Sequence, residues 1–181
     1  MSLRHGLLGL LSYGKMTGYE LDKAFKASLN FFWQAQTSQI YRELNAMEKS
    51  GWLTSETVIQ TDKPNKKLYS ITEEGKKELK QWLLESSHGK DFLIRNSFLM
   101  KLFFSSSADK KATVTLLEEY RNLTLKALKE LEETKDSFEY YSSLVDDENA
   151  PLYWSLTSDF GREFMKMCAD WAENSIKKLE E

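Results

Sequence analysis

The chain has 181 residues, 41% of them hydrophobic and 29% charged, with a formal net charge of -3 and a single cysteine. That length can bury a sizeable core and fits one domain or two small ones. Cys168 alone excludes an internal disulfide framework and any Cys-based metal site, and it fits a reducing compartment.

His5 and His88 have no second ligand at a spacing that shares a helical turn, so His5 reads as structural, His88 as solvated, and no metal or cofactor is expected. No paired acid and base, and no nucleophile with its base, is apparent, so the chain is not expected to be an enzyme. No apolar run approaches the roughly 20 residues that cross a bilayer, and the N-terminus lacks a secretory pattern. A soluble chain with no membrane partner is expected.

The negative charge is unevenly spread. Residues 1–85 carry 12 Lys+Arg against 10 Asp+Glu, while residues 86–181 carry 13 against 18. The acid lies in the second half, and a mildly positive first half is compatible with sequence-specific nucleic-acid binding that is sensitive to salt.

In chain order, LRHGLLGLLSYG predicts a short apolar helix. TGYELDKAFKAS follows, with Thr17 and Glu20 at capping-box spacing and Leu21 and Phe25 as an i, i+4 apolar pair. Phe31, Phe32 and Trp33 occupy the connection to a third helix, where they are candidates for an interdomain or effector contact.

That third helix starts near Thr37 as N-cap and ends at Gly51 as the left-handed terminator, about fourteen residues in all. Ile40, Leu44 and Met47 form its apolar stripe. At about 100° per residue, Ser38, Arg42, Asn45 and Lys49 then share the opposite face, flanked by Gln39 and Tyr41. Ser38, Gln39 and Arg42 sit in the first turns, where unpaired backbone N–H groups and the helix dipole favour phosphate oxygens.

WLTSETVIQ and KLYSI read as two strands joined by the turn-forming TDKPNK. Lys63, Lys66 and Lys67 cluster at the tip and return strand around Asn65, with Leu68 and Ile71 available to pack inward. Taken singly, a polar helix face or a lysine-bearing loop describes many solvated surfaces. Together, a capped helix with a polar outer face and a basic hairpin have the outline of a winged helix-turn-helix, with the helix suited to a major groove and the hairpin to phosphates. Thr72 caps a further helix reaching Glu85, with Leu79, Trp82 and Leu83 turned inward.

SSHGKD, residues 86–91, reads as the joint between a DNA-binding domain at 1–85 and a helical, coiled-coil-like dimerisation domain at 86–181. Phe92 to Phe104 predicts a connecting helix with Leu99, Leu102 and Phe103 at helical spacing. From Asp109, Leu116, Tyr120, Leu123, Ala127, Leu131 and Phe138 recur at steps of three and four, the last step skipping Thr134. A helix of about 30 residues would be roughly 45 Å long, which suits contact with another subunit.

After a turn at Asp146–Asn149 and Pro151, the last helix carries Tyr153, Leu156, Phe160, Phe164, Met167 and Trp171 on one stripe. Such a stripe serves packing, within the chain or across a dimer, or else it walls an effector pocket. Trp154, Phe160, Phe164 and Trp171 are the candidate effector or interdomain residues of this half. The expected fold is mainly α with a small β-hairpin wing.

GLLGLLSYGKMTGYEL, SQIYRELNAMEKSGWL and NKKLYSITEEGKKEL resemble the PadR family of bacterial transcriptional regulators over roughly the first 85 residues. FFWQAQTSQIYREL is most similar to the subgroup of virulence-gene activators with a long helical C-terminal domain. The resemblance implies a cytoplasmic homodimer on an inverted-repeat DNA operator, usually a repressor and sometimes an activator. It places helix contacts on Thr37, Ser38, Gln39, Tyr41 and Arg42, wing contacts on Lys63, Lys66 and Lys67, and a wing tyrosine at Tyr69. One departure bears on helix entry: many members have Pro-Gly ahead of the Ser where this chain has Gln36 and Thr37. The alternative reading is a protein-interaction module built on the same winged-helix dimer, in which the basic wing tip would have no task.

Overall fold

The computed structural model describes residues 2–30, 32–59, 65–85, 96–133, 142–143 and 145–181. The chain divides into two compact units, Met1–Ser86 with Glu139–Ala150, and Ser87–Phe138 with Pro151–Glu181.

The first unit is built from α1 (Ser2–Ser12), β1 (Met16–Thr17), α2 (Gly18–Ser28), α3 (Thr37–Lys49), β2 (Leu53–Val58), β3 (Lys66–Ile71) and α4 (Glu73–Leu84). Its core is the apolar set that the helical periodicities select: Leu7, Leu8 and Leu11 from α1, Leu21 and Phe25 from α2, Ile40, Leu44 and Met47 from α3. Leu53 and Tyr69 add the sheet's share. α1 packs against α2, α3 and α4, so this four-helix cluster is centred on α1.

Local chemistry fixes the helix ends. Thr17 Oγ1 accepts from the Glu20 N–H at 3.3 Å while Glu20 Oε2 accepts from the Thr17 N–H at 2.8 Å, a complete capping box for α2. Thr72 Oγ1 accepts from the Gly75 N–H at 3.1 Å and itself donates to the Gly51 carbonyl at 2.7 Å, joining the start of α4 to the turn after α3. Gly51 adopts φ 75°, the left-handed conformation that ends α3 before β2. At α3 the cap lies one residue earlier than expected: Gln36 holds the cap position and Thr37 is the first helical residue.

The wing contains a strand that periodicity does not announce. The sheet has the order β1-β3-β2, antiparallel throughout, with Met16 opposite Tyr69 and Thr17 opposite Leu68 on one side of β3. On the other side Ser55 faces Tyr69, and Leu53 faces Ile71. In this register Tyr69 is the β3 residue sealed into the core, at 3% exposure, while Leu68 and Ile71 are half-buried. Of the two residues expected to pack inward, Ile71 shares the face of Tyr69 and packs against the core, whereas Leu68 lies on the other face of the strand.

At the end of α4, His5 stacks on Trp82 with centroids 4.6 Å apart and bonds Glu78 Oε1 at 3.1 Å, so His5 is structural as expected. Leu83, expected inside, is 66% exposed.

The second unit contains α5 (Ser97–Phe103), a 3-10 turn at Ser105–Ser107, α6 (Lys110–Glu133) and α7 (Ala150–Glu180). Asn96 caps α5, its Oδ1 accepting from the N–H groups of Phe98 and Leu99. Asp109 precedes α6, which is 24 residues long. Phe138, Thr134, His88, Arg95 and the 86–91 joint lie outside the described residues.

The buried face of α6 is carried by Thr113, Leu117 and Leu131, whereas Leu123 is 68% exposed. Of the expected stripe, Leu131 is therefore buried, Leu116, Tyr120 and Ala127 are half-buried, and Leu123 faces solvent in the single chain. α7, 31 residues long, buries its small side instead: Ser158, Cys168, Ala169 and Ala172, with Ile176. Among the described residues, no helix is long and apolar enough to cross a membrane.

Candidate nucleic-acid interface

The outer face of α3 follows from its core face. With Ile40, Leu44 and Met47 at 0% exposure, Ser38, Arg42, Asn45 and Lys49 are necessarily turned outward, and all four are exposed. These offer a hydroxyl, a guanidinium, an amide and an ammonium along one line, the donor set that reads base edges and phosphates.

The first turn of α3 is held from two directions. The Gln36 N–H donates to Gln39 Oε1 at 2.9 Å, so the Gln39 side chain is partly engaged in starting the helix. Lys26 of α2 donates to Thr37 Oγ1 at 2.7 Å and to Asp22 Oδ2 at 2.8 Å, which places a cation at the helix entry. Sequence reasoning passed over Lys26, because nothing in a linear pattern shows that α2 ends beside Thr37.

Tyr41 flanks the face at 40% exposure and lies against Gly18 at the start of α2. Arg4 of α1 pairs with Glu43 on the inner flank of α3, fixing the helix to the core from behind.

The wing presents Asn65, Lys66 and Lys67, all exposed. Lys63 lies outside the described residues, as does Phe31. Lys67 Nζ donates to Glu48 Oε2 at 3.2 Å and stands 5.9 Å from the Tyr69 ring centroid. The other oxygen of Glu48 accepts from Ser55 Oγ.

These contacts hold the Glu48 carboxyl below the usual carboxylate range, the Ser55 hydroxyl contributing most and Lys67 next. Tyr69, expected on the binding surface, belongs to the core, and burial pushes its hydroxyl up despite the opposing influence of Lys67. α3 and β3 thus bring Ser38, Arg42, Asn45, Lys49, Lys66 and Lys67 into one unit, with Glu48 between helix and wing.

The candidate effector residues do not behave as one group. Phe98 stacks on Tyr120 at 4.1 Å, and Trp171 meets both rings edge-on at 6.1 Å. Burial, then a hydrogen bond with Cys168, pushes the Tyr120 hydroxyl up to about 12. Phe160 and Phe164 instead stack on one another at 6.1 Å and are 68% and 44% exposed. Phe32 and Trp33 of the first unit are exposed, and Trp154 is half-buried.

Three helices, a three-stranded sheet and a polar helix face beside strand lysines define the class of fold: a winged helix-turn-helix. Residues 7–81 match the transcriptional regulator PadR-like family and residues 94–180 match the virulence activator alpha C-terminal family. Residues 7–81 thus carry a PadR-like regulator domain, followed at residues 94–180 by a virulence activator alpha C-terminal domain.

The negative transcriptional regulator PadR of Bacillus subtilis is 35% identical over 117 residues, which are 65% of this chain and 64% of that relative. The chain thus spans less than two thirds of the length of that curated relative. The structure of Bacillus subtilis PadR in complex with operator DNA superposes with a TM-score of 0.79 at 28% identity, covering 99% of both chains. Its complex with p-coumaric acid gives 0.74 at 26% identity, covering 100% of both.

Proposed function

We propose that this chain is a cytoplasmic, sequence-specific DNA-binding regulator that acts as a homodimer on an inverted-repeat operator, with the role of a repressor. The observation that carries the reading is the outward line of Ser38, Arg42, Asn45 and Lys49 on α3 beside Lys66 and Lys67 of β3. The helix enters a major groove, where Arg42 and Asn45 have the donor geometry for purine edges, while the wing lysines neutralise flanking phosphates. Tyr69 contributes from below, as the buried ring under Lys67. The repressor's role follows the one printed for the PadR relative.

A dimer is supported by α7. Tyr153, Leu156, Phe160, Phe164 and Met167 recur at steps of three and four, yet each is exposed in the single chain. A stripe of that size on a soluble surface calls for a cover, and a second α7 supplies a matching one. Two recognition helices then enter successive major grooves about 34 to 36 Å apart.

A small aromatic effector is a further part of the reading, supported by the p-coumaric acid complex of the PadR relative and by the aromatic content of α7. Its expected contacts are among Trp154, Phe160, Phe164 and Trp171 of the second unit.

Sequencing the genomic fragments that the purified protein retains tests the proposal. A shared palindrome with half-sites one helical turn, or a multiple of it, apart is the expected result. Absence of saturable DNA binding even at low salt would favour the protein-interaction module instead.

A further inference from the structure

Glu48 is out of place by two ordinary rules. It is the penultimate residue of α3, where the negative end of the helix dipole disfavours a carboxylate, and it borders a surface that must receive phosphate. Yet both of its oxygens are engaged, one by Ser55 of β2 and the other by Lys67 of β3 at 3.2 Å. The two acceptor positions tie the end of the helix to both strands of the wing. Lys67 keeps about half of its side chain exposed, at 49%, while Glu48 keeps 30%.

We infer that Glu48 is a specificity-determining residue that acts through Lys67, holding its ammonium in one orientation and shielding it from phosphates that arrive out of register. An ammonium has three N–H donors, and with one committed to Glu48 the others have fixed directions. A duplex docked by base contacts along α3 brings a phosphate onto those directions and leaves the Glu48 bond intact. A duplex held only by its backbone meets the carboxylate as well as the ammonium, and its gain from Lys67 is smaller. Glu48 therefore lowers affinity for nonspecific DNA more than for operator. This inference rests on the proposal that Lys67 contacts phosphate.

Glu48→Gln keeps the shape and a hydrogen-bonding group for Ser55 but removes the charge. The experiment measures dissociation constants of the full-length protein for selected operator and for a scrambled duplex of equal length. It uses wild type, Glu48→Gln, Lys67→Ala and the double variant over a salt series. Glu48→Gln is expected to tighten scrambled-duplex binding about two- to fivefold, the range of one exposed ion pair, and to leave operator binding within about twofold. The salt slope on the scrambled duplex should steepen, by at most about 0.9. Both effects should vanish in the Lys67→Ala background.

An unchanged operator-to-scrambled ratio in Glu48→Gln would overturn the inference while leaving the Lys67 contact standing, provided Lys67→Ala alone weakens binding. A shift that persists without Lys67 would also overturn it. If Lys67→Ala alone changes neither affinity nor slope, the phosphate contact itself falls, and this inference with it.

Discussion

Tyr41 of α3 rests on the bare backbone of Gly18, the first residue of α2, so closely that a Cβ at Gly18 would stand 2.6 Å from Tyr41 Cε1. α3 and the helix before it therefore meet at a ring and a glycine. Since Tyr41 is 40% exposed, its ring can swing outward when displaced. Gly18→Ala is thus expected to cost little stability, because the clash is with an exposed ring that can move aside. Operator affinity should fall several-fold as the ring turns into the groove side. Calorimetry and anisotropy together check this, and an unchanged affinity would detach Tyr41 from the DNA surface.

Arg42 lies in the middle of the outer α3 face. Arg42→Ala should weaken operator binding by about 1 to 3 kcal/mol and abolish preference at one position of each half-site. Titrations against single-base variants of the half-site give the answer. A uniform loss across all variants would assign Arg42 to phosphate.

The capping box of α2 makes stability depend on pH. The backbone N–H of Thr17, then its hydroxyl, hold the Glu20 carboxyl below its usual value. A depressed folded-state pKa means that the stabilisation is fully present above the ordinary carboxylate range and is lost as pH falls through the lowered value. The stability difference between wild type and Glu20→Gln, from urea unfolding at stepped pH, should be constant from neutrality to mildly acidic pH. It should close below the ordinary Glu range, and a difference that widened in acid would contradict the assignment.

Phe160 and Phe164 stack on each other while exposed, at the centre of the α7 stripe. Phe160→Asp should shift sedimentation from a dimer to a monomer and raise the protein concentration at which operator binding saturates. Wild-type sedimentation in the variant would remove this stripe from the dimer interface.

What could be read from the sequence was set by local chemistry. Thr17 with Glu20, Thr72 and Gly51 act within a few residues of themselves, and the structure has them as expected. The α3 face was equally readable, since Ile40, Leu44 and Met47 determine it by spacing alone. Contacts between distant residues were not. β1 is two residues long and exists because Met16 reaches Tyr69. The same pairing draws Tyr69 rather than Leu68 inward, and no property of KKLYSI distinguishes the two registers. The Glu48 bracket joins residues 48, 55 and 67 from three elements, so no single motif contains it. On α6 the periodicity was real, but its Leu123 faces solvent in the single chain, because a stripe can be selected for a partner as well as for the chain's own core.

The most direct measurement is an anisotropy titration of the full chain on the duplex it selects, repeated over a salt series with scrambled competitor present. A dimeric reader of sequence should saturate at two protomers per duplex, with an affinity that survives competitor. The logarithm of that affinity should fall linearly with the logarithm of salt. Removing Lys66 or Lys67 should make that slope shallower by about 0.9 for each phosphate the lysine neutralised. Absence of saturable binding at low salt, or binding equal on selected and scrambled duplexes, would contradict a sequence-reading role.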